Sequence, residues 1–181
     1  TVRGISYVPG IALLSLEGPG MIGIPGISNR FFEVLSRQGI NVVFITQASS
    51  EHSICVGISE AQADMAARAV NQAFEREIEK GEDARVNVED GLSIVALVGD
   101  RMKQHQGLSG RMFSALGRNN VNIRAIAQGA SERNISAVID SADVKKALNT
   151  LHEAFFEARV KQLNLFVMGV GNVGARLLNQ I

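Results

Sequence analysis

Two groups of polar side chains recur in the sequence 81 residues apart. A glutamine amide and a serine hydroxyl can each donate and accept a hydrogen bond, and a carboxylate attracts an ammonium group. Each group therefore has the chemistry to hold a small zwitterion such as an amino acid. The alternative is that these side chains only satisfy the backbone of a turn. The two groups are Gln47, Ser50 and Glu51, and then Gln128, Ser131 and Glu132.

A glycine-bearing loop precedes each polar group and ends where a helical pattern begins. The loops end at Gly26 and Gly107. The backbone N–H groups at a helix start lie at the positive end of the helix dipole, so a carboxylate is their natural occupant. An asparagine, Asn41 or Asn122, adds an amide at the start of the next strand. Each repeat thus offers partners for both ends of a zwitterion.

These positions belong to an internal repeat. Residues 26–58 match residues 107–139 at 13 of 33 positions with no gap. A repeat of this period in a chain of 181 residues predicts two small units rather than one large domain. Units of about 80 residues bury little surface alone, so we expect them to share a buried interface.

The hydrophobic pattern predicts the order strand, helix, strand, strand, helix, strand in each unit. Ser59 with Gln62 resembles a capping box at the second helix, and Asp140 takes the place of Ser59 in the second unit. This βαββαβ order predicts an α+β fold of two ferredoxin-like units packed side by side, with antiparallel sheets and helices on one face. The predicted strands cover residues 11–16, 40–47, 53–58, 84–89, 92–98, 121–128 and 135–139.

The two ends of the chain predict further structure. Residues 1–8 are predicted to form a connector or a short strand, followed by a turn at Pro9-Gly10. Residues 163–168 are a candidate apolar strand that leads into G-x-G-x-x-G, at Gly169, Gly171 and Gly174, and this arrangement is typical of a dinucleotide pyrophosphate site. If that strand starts another domain, residues 2–8 complete the second unit instead. The predicted domains are residues 1–9 (connector from a preceding domain), 10–89 (unit 1), 90–162 (unit 2) and 163–181 (a truncated dinucleotide-binding domain).

Composition argues against several classes of function. Eighteen basic residues balance eighteen acidic ones, tryptophan is absent and aromatic residues make up 5%, so we expect no nucleic-acid partner. The sequence contains no run of 18 apolar residues, so it predicts no membrane-spanning helix. The single cysteine, Cys55, has no internal disulfide partner, which favours the reducing cytoplasm.

Catalysis and metal binding also lack a sequence pattern. The three histidines fall at a turn, in a loop and on a helix, and no nucleophile, base and orienting group can be assembled around Cys55. There is no C-x-x-C and no histidine pair at i, i+4. We therefore expect a noncatalytic chain with no cofactor and no metal of its own.

The repeated pattern resembles the tandem ACT regulatory region of aspartate kinases. It reads G-[IL]-S-x-R-x-F-x-x-L, then N-[VI], then I-x-Q-x-[SA]-S-E, twice. The opening VRGIS and the closing LNLFVMGVGNVG are similar to the junctions of the bifunctional aspartate kinase and homoserine dehydrogenase. The resemblance implies feedback control by threonine, flanking kinase and dehydrogenase domains that use ATP and NADP, and a homodimer or higher homo-oligomer.

The resemblance also implies that the effector binds at the interface between the units, through a set of residues in each. Arg124 stands where the first unit has Val43, so the two sites need not be equivalent. Sensing of lysine or methionine, an assembly module without ligand, and a piece of a dehydrogenase are the alternatives. The implied residues are Met21, Gly26, Ile27, Ser28, Asn41, Val42, Gln47, Ser50 and Glu51 in the first unit, and Met102, Gly107, Leu108, Ser109, Asn122, Ile123, Gln128, Ser131 and Glu132 in the second.

Overall fold

Six strands and five α-helices are present in the residues that the computed structural model describes, which are 2–18, 25–48, 53–79, 84–102, 105–128 and 133–157. The strands form one antiparallel sheet in the order β2-β3-β1-β4-β6-β5. The elements are β1 (Val2–Glu17), α1 (Ile27–Arg37), β2 (Val42–Ala48), β3 (Ser53–Ser59), α2 (Ala63–Ala73), α3 (Glu75–Glu79), β4 (Arg85–Gly99), α4 (Leu108–Arg118), β5 (Ile123–Gln128), β6 (Asn134–Asp140) and α5 (Val144–Phe155).

The two long central strands, β1 and β4, each serve both units. Residues 11–17 of β1 pair with β3 of the first unit, and residues 2–8 pair with residues 94–99 of β4 in the second. The first unit is completed in the same way, by residues 85–89 of β4 beside β1. The alternative in which residues 2–8 complete the second unit is therefore confirmed. Residues 163–181, with the predicted strand and glycine motif, lie outside the described residues.

The predicted turn at Pro9-Gly10 and the predicted break between residues 89 and 92 are both wrong, because β1 and β4 run through these positions. Gly10 and Gly91 have φ values of 66° and 69°, and the register shifts on both sides of the Ile11–Leu92 pair. Such bulges bend a strand without ending it. The long ladder between β1 and β4 keeps both strands extended across the bend, which local sequence signals could not indicate.

Each unit packs two main helices against one face of its half of the sheet. In the first unit, Phe31 and Leu35 of α1 and Val70 of α2 are fully or nearly fully buried against Leu14 and Val56. In the second unit, Met112, Leu116 and Leu151 pack against Val95 and Leu97, with Ile5 of β1 partly buried beside them. The spacing of Ile27, Phe31 and Leu35 gives the helical stripe that the sequence predicts. These observations confirm two ferredoxin-like α+β units.

The faces of the sheet that lack helices pack against each other. They form an inner cluster, defined by its buried members Ile11, Leu13, Phe44, Leu92, Ile94 and Val138, with Cys55, Ala125 and Ala127 partly buried against it. The outer strands β2 and β5 contact each other, so the sheet curls around this cluster. The expectation of a shared buried interface is therefore confirmed, and it consists of strand residues.

The predicted caps differ between the units. Ser59 lies before the short 3₁₀ turn Glu60–Gln62, but its side chain makes no capping hydrogen bond, so the capping box predicted there is wrong. Asp140 does cap, because its Oδ1 accepts a hydrogen bond of 2.8 Å from the Ala142 amide. The 3₁₀ turn moves the start of α2 to Ala63, which is too far from Ser59 for a capping box.

Candidate functional site

Both predicted glycine loops end at a helix start with the same geometry. Gly26 and Gly107 have φ values of 91° and 82° and directly precede α1 and α4. The first helical hydrogen bonds run from the Arg30 amide to the Gly26 carbonyl and from the Arg111 amide to the Gly107 carbonyl, each 2.9 Å. In α1, helix geometry leaves the amides of Ile27, Ser28 and Asn29 without an acceptor within that helix. Neither first turn contains an acidic residue, so no carboxylate of the helix itself competes for an anion.

A repeated arginine contact fixes each of these helices against its neighbour. The Arg30 guanidinium carbon lies 4.0 Å from the centre of the Phe74 ring, and an Arg30 nitrogen lies 2.5 Å from Glu77 Oε1. In the second unit the Arg111 guanidinium lies over Phe155 at 4.8 Å and donates to the Ala154 carbonyl. A cation over an aromatic ring is attracted to the ring face. The contacts hold the helix start in a defined position in both units.

The two predicted glutamines lie at equivalent positions of edge strands. Gln47 is next to last in β2 and pairs with Ile54, and Gln128 is the last residue of β5 and pairs with Ile135. A short turn reverses the chain between α1 and β2, so the strand runs back along the helix toward its start. The glutamine end of the strand and the helix start therefore lie at one end of the unit, as the predicted site requires.

The asparagines lie at the opposite end of each unit. Asn41 and Val42 follow the end of α1, and Asn122 and Ile123 follow the end of α4. A helix of 11 residues is about 16 Å long, and the seven residues of β2 extend about 23 Å. One chain does not bring Asn41 next to Gln47. The assignment of Asn41, Val42, Asn122 and Ile123 to an effector site stays a prediction, and within one unit these residues lie at the other end from the glutamines.

Several of the other predicted contacts belong to the hydrophobic core. Ile27 and Met102 are buried, and Leu108 is partly buried against the second core. Their side chains anchor the loops, while Ser28 is exposed at the helix start. Ser109 follows Leu108 and is half-buried. The remaining predicted residues lie outside the described residues: Met21, Ser50, Glu51, Ser131, Glu132, Gly169, Gly171 and Gly174.

A polar cavity of about 560 Å³ lies on the inner side of the curled sheet, and the prediction missed it. Glu17 of β1 and Glu89 of β4 line it from the first unit, and Arg124 of β5 reaches it from the second. Arg124 Nε lies 3.0 Å from Glu89 Oε1. The difference between Arg124 and Val43 was one sequence signal, and the repeat likewise has Val98 for Glu17 and Val8 for Glu89. The cavity itself forms only when the two half-sheets face each other.

The described part of the chain offers neither a metal site nor a membrane span. No group of three or more histidine, cysteine, aspartate or glutamate residues is placed to hold a metal ion among these residues. None of their helices has the length and apolar character needed to cross a bilayer.

The family assignment follows from the repeated fold and from sequence comparison. The family model for the ACT domain matches residues 14–74 and 95–155, which include α1, α2, α4 and α5 and the strands β2, β3, β5 and β6. The chain belongs to the ACT domain family.

Within that family the chain is similar to bifunctional aspartokinase/homoserine dehydrogenases over almost its whole length. It is 39% identical over 180 residues to the protein of this name from Haemophilus influenzae. The alignment covers 99% of this chain and 22% of that protein. A chloroplastic relative from Arabidopsis thaliana is 38% identical over 180 residues, covering 99% of this chain and 20% of the relative. The chain thus spans about a fifth of the length of these relatives.

Solved structures of aspartate kinases share the fold. The regulatory subunit of aspartate kinase from Thermus flavus superposes with a TM-score of 0.73 at 24% identity, covering 85% of this chain and 98% of that one. Escherichia coli aspartokinase III, in complex with lysine and aspartate in its T-state, superposes with a TM-score of 0.65 at 28% identity, covering 86% and 33%. The same enzyme in complex with aspartate and ADP, in its R-state, gives a TM-score of 0.68.

Proposed function

We propose that the chain is the allosteric sensor of a bifunctional aspartokinase/homoserine dehydrogenase and that it binds threonine. The observation that carries this proposal is the coincidence, in both units, of an acid-free helix start and a glutamine-bearing strand end. The helix amides would receive the threonine carboxylate. The glutamine amide would bond to the ligand's hydroxyl or ammonium group.

Threonine must favour one arrangement of the flanking domains if its binding is to inhibit them. A ligand shifts an equilibrium only by its difference in affinity for the two states, typically about 1 to 3 kcal/mol. The shared strands β1 and β4 give a physical route, since a change at one unit displaces a strand that also belongs to the other. The occurrence of T-state and R-state structures of aspartokinase III, a relative in fold, supports a two-state sensor.

We also propose that the sensor acts as a homodimer. Asn41 lies at the far end of β2 from Gln47, and the outer edge of β2 pairs with no other described strand. An antiparallel pairing of two β2 edges would place Asn41 of one copy beside Gln47 of the other. Edge strands offer unpaired N–H and C=O groups for this kind of association. The partner copy would then supply the asparagine that one chain does not.

The parent protein would carry the catalytic activities. The similarity to the bifunctional enzymes supports an ATP-dependent kinase before residue 1 and an NADP-dependent dehydrogenase beginning near residue 163. The glycines at 169, 171 and 174 would belong to the dinucleotide site of that dehydrogenase. Such a protein would work in the cytoplasm, as the single unpaired cysteine suggests.

Calorimetric titration of the 181-residue chain with threonine tests the proposal, and separate titrations with lysine and methionine test the alternative effectors. We expect saturable heat from threonine alone. Gln47→Ala and Gln128→Ala should each weaken binding at their own site by about 1 to 3 kcal/mol, because a buried polar partner is left unpaired. Gln38→Ala, on the exposed end of α1, is the matched control and should bind as the wild type does.

The alternatives give different titrations. Selective heat from lysine or methionine would reassign the effector, and a dimer that forms with no response to any of the three amino acids would favour a pure assembly module. Threonine affinity that survives both glutamine substitutions would refute the role given to Gln47 and Gln128.

A further inference from the structure

A groove between α4 and α5, on the helix face of the second unit, is a candidate site separate from the glutamine-bearing strand ends. The groove encloses about 460 Å³, and the side chains that line it include Arg111, Ser114, Arg118, Thr150 and Glu153. We propose that this helix groove binds a phosphate group, either the free ion or a small phosphate monoester. The inference goes beyond the proposed function, because it concerns a different surface and a different class of ligand.

The two arginines of the helix groove lie on one face of α4. Arg111 and Arg118 are seven positions apart, which is about 10 Å along a helix. Ser114 lies between them at helical spacing, so its hydroxyl is on the same face. A guanidinium presents a planar fork of N–H donors that matches the oxygens of a phosphate. A phosphate group beside Ser114 can therefore be reached by an arginine from each side.

Neither arginine has a carboxylate partner in the described part of the chain. Arg118 is exposed and makes no ion pair or hydrogen bond there. Arg111 lies over Phe155 and donates to the Ala154 carbonyl, which is uncharged, so the charge of Arg111 is not neutralised. Glu153 also lines the groove, but among the described residues it pairs with neither arginine. Two guanidinium groups against one carboxylate leave the groove with a net positive charge.

The hydroxyl of Thr150 is a buried polar group at the wall of the helix groove. Thr150 is 7% exposed, and within the described residues its hydroxyl has no hydrogen-bond partner. A buried hydroxyl that lacks a partner costs free energy. A phosphate oxygen in the groove would accept its hydrogen bond. The first unit has Ala69 at the equivalent position, so the helix pair does not need a hydroxyl there for packing.

The first unit neutralises the equivalent arginines. Arg30 and Arg37 stand 81 residues before the two arginines of the helix groove. A nitrogen of Arg30 lies 2.5 Å from Glu77 Oε1, and a nitrogen of Arg37 lies 2.5 Å from Glu33 Oε1. Both arginines of the first unit are therefore engaged with a carboxylate.

The second unit has neither of these carboxylates. Ala158 stands at the position of Glu77, and Ser114 stands at the position of Glu33. The same pair of helices thus carries two ion-paired arginines in one unit, and two arginines with hydroxyl groups between and beside them in the other. Because both units fold in the same way, the unpaired arginines and the hydroxyls of the second unit suit a ligand rather than the fold.

The charges of the inner cavity, by contrast, are satisfied within the protein. Burial raises the pKa of the Glu17 carboxyl, but hydrogen bonds from Asn87, Arg85 and Ser15 and the charge of Arg85 outweigh this and hold the pKa below its usual value. Burial, and then the charges of the nearby carboxylates, raise the pKa of the Cys55 thiol to about 11. The thiol is therefore protonated at neutral pH and is a poor nucleophile.

Equilibrium dialysis of the 181-residue chain with radiolabelled inorganic phosphate, at constant ionic strength, tests the proposal. We expect saturable binding of phosphate. Arg118→Gln should weaken phosphate binding by about tenfold or more, because a charge-assisted hydrogen bond is lost. Arg37→Gln removes the arginine at the equivalent position of α1, where it is already ion-paired, and is the matched control that should bind phosphate as the wild type does.

Two further variants change the helix groove without removing an arginine. Ser114→Glu installs the residue of the first unit, which should pair with Arg118 as Glu33 pairs with Arg37 and abolish phosphate binding. Thr150→Val removes the hydroxyl with little change in shape, so phosphate binding should weaken by about threefold or more.

The proposal is overturned if the folded wild-type chain shows no saturable phosphate binding. It is also overturned if the folded Arg118→Gln and Ser114→Glu variants both bind phosphate as the wild type does, since the anion would then lie at a helix start. Displacement of phosphate by threonine would overturn it too, because the two ligands would share a site. Gln128→Ala should retain phosphate binding, so loss of threonine binding in that variant leaves the groove proposal intact.

Glycerol 3-phosphate as a competitor distinguishes the two sources of a phosphate group. Displacement of the labelled phosphate indicates a site that accepts a phosphate monoester, and the lack of displacement indicates a site for the free ion.

Discussion

The inner cluster contains a cross-strand pair in which the larger side chain comes from one strand in the first unit and from the other strand in the second unit. Phe44 of β2 faces Gly57 of β3 across the ladder, and the equivalent pair in the second unit is Ala125 and Val138. A Cβ added at Gly57 would lie 2.8 Å from Phe44 Cβ, a separation that forces a shift. We predict that Gly57→Val is destabilising alone and is rescued by Phe44→Ala, which together reproduce the pair of the second unit.

The magnitudes follow from burial and clash. Phe44 is 5% exposed, so Phe44→Ala should cost about 3 to 5 kcal/mol through lost burial and a cavity. Gly57→Val should cost about 1 to 3 kcal/mol through overpacking against Phe44. In the double variant the clash disappears and the valine fills part of the cavity. We expect a total cost of about 1 to 3 kcal/mol, far below the sum of the single effects.

Urea unfolding of the four proteins in this double-mutant cycle measures the coupling, provided that the m-value is unchanged. Phe44→Ala combined with Gly117→Ala is the control, because Gly117 lies on α4 with open space around its Cβ. That control pair should be additive within about 0.5 kcal/mol. Additivity of Phe44→Ala and Gly57→Val to the same tolerance would refute the packing described for the inner cluster.

Three further predictions concern the backbone and two titrating groups. Gly10→Ala and Gly91→Ala should each lower the free energy of unfolding by about 1 to 2 kcal/mol, because both residues have positive φ. The control Gly117→Ala, in α4, should be neutral or stabilising by up to about 1 kcal/mol. Equal effects of all three substitutions would contradict the bulges at Gly10 and Gly91. Between pH 9 and 11 the unfolded Cys55 thiol ionises while the folded one stays protonated. The chain should therefore lose about 1 to 2 kcal/mol over that range, after allowance for partial exposure, and Cys55→Ser should remove this loss; an unchanged pH profile would refute it. Because the pKa of Glu17 is lowered by folding, its contribution to stability is present above the unfolded pKa and is lost as the pH falls through the folded one. Acid unfolding of Glu17→Gln should be less steep than that of the wild type, and an equally steep transition would contradict the bonding around Glu17.

The spacing of hydrophobic residues predicted the helices that such a local pattern marks. The helical stripe at Ile27, Phe31 and Leu35 indicated α1, and the repeat carried the same assignment to α4. The fold class followed from the order of elements, since an antiparallel sheet with two helices on one face is the usual way to pack a βαββαβ unit. The start of α2 was missed because a 3₁₀ turn separates Ser59 from the helix.

The relations between the units could not be predicted from local patterns. Pro9-Gly10 has the composition of a turn, yet pairing with β4 over the whole of β1 keeps the strand extended through it. The cavity depends on how far the sheet curls, and the polarity differences within the repeat, such as Arg124 for Val43, do not show that these residues meet. Asn41 is separated from Gln47 because the two residues lie at opposite ends of the extended strand β2.

The most direct test of amino acid sensing at the helix starts is the amide NMR spectrum of the isotope-labelled chain during titration with threonine. We predict saturable shifts of the Ile27, Ser28 and Gln47 amides and of the equivalent Leu108, Ser109 and Gln128 amides, with little change around Ser15 and Asn87 in the polar cavity. A spectrum that does not respond to saturating threonine, or that responds only at Ser15 and Asn87, would contradict the proposed sensor site.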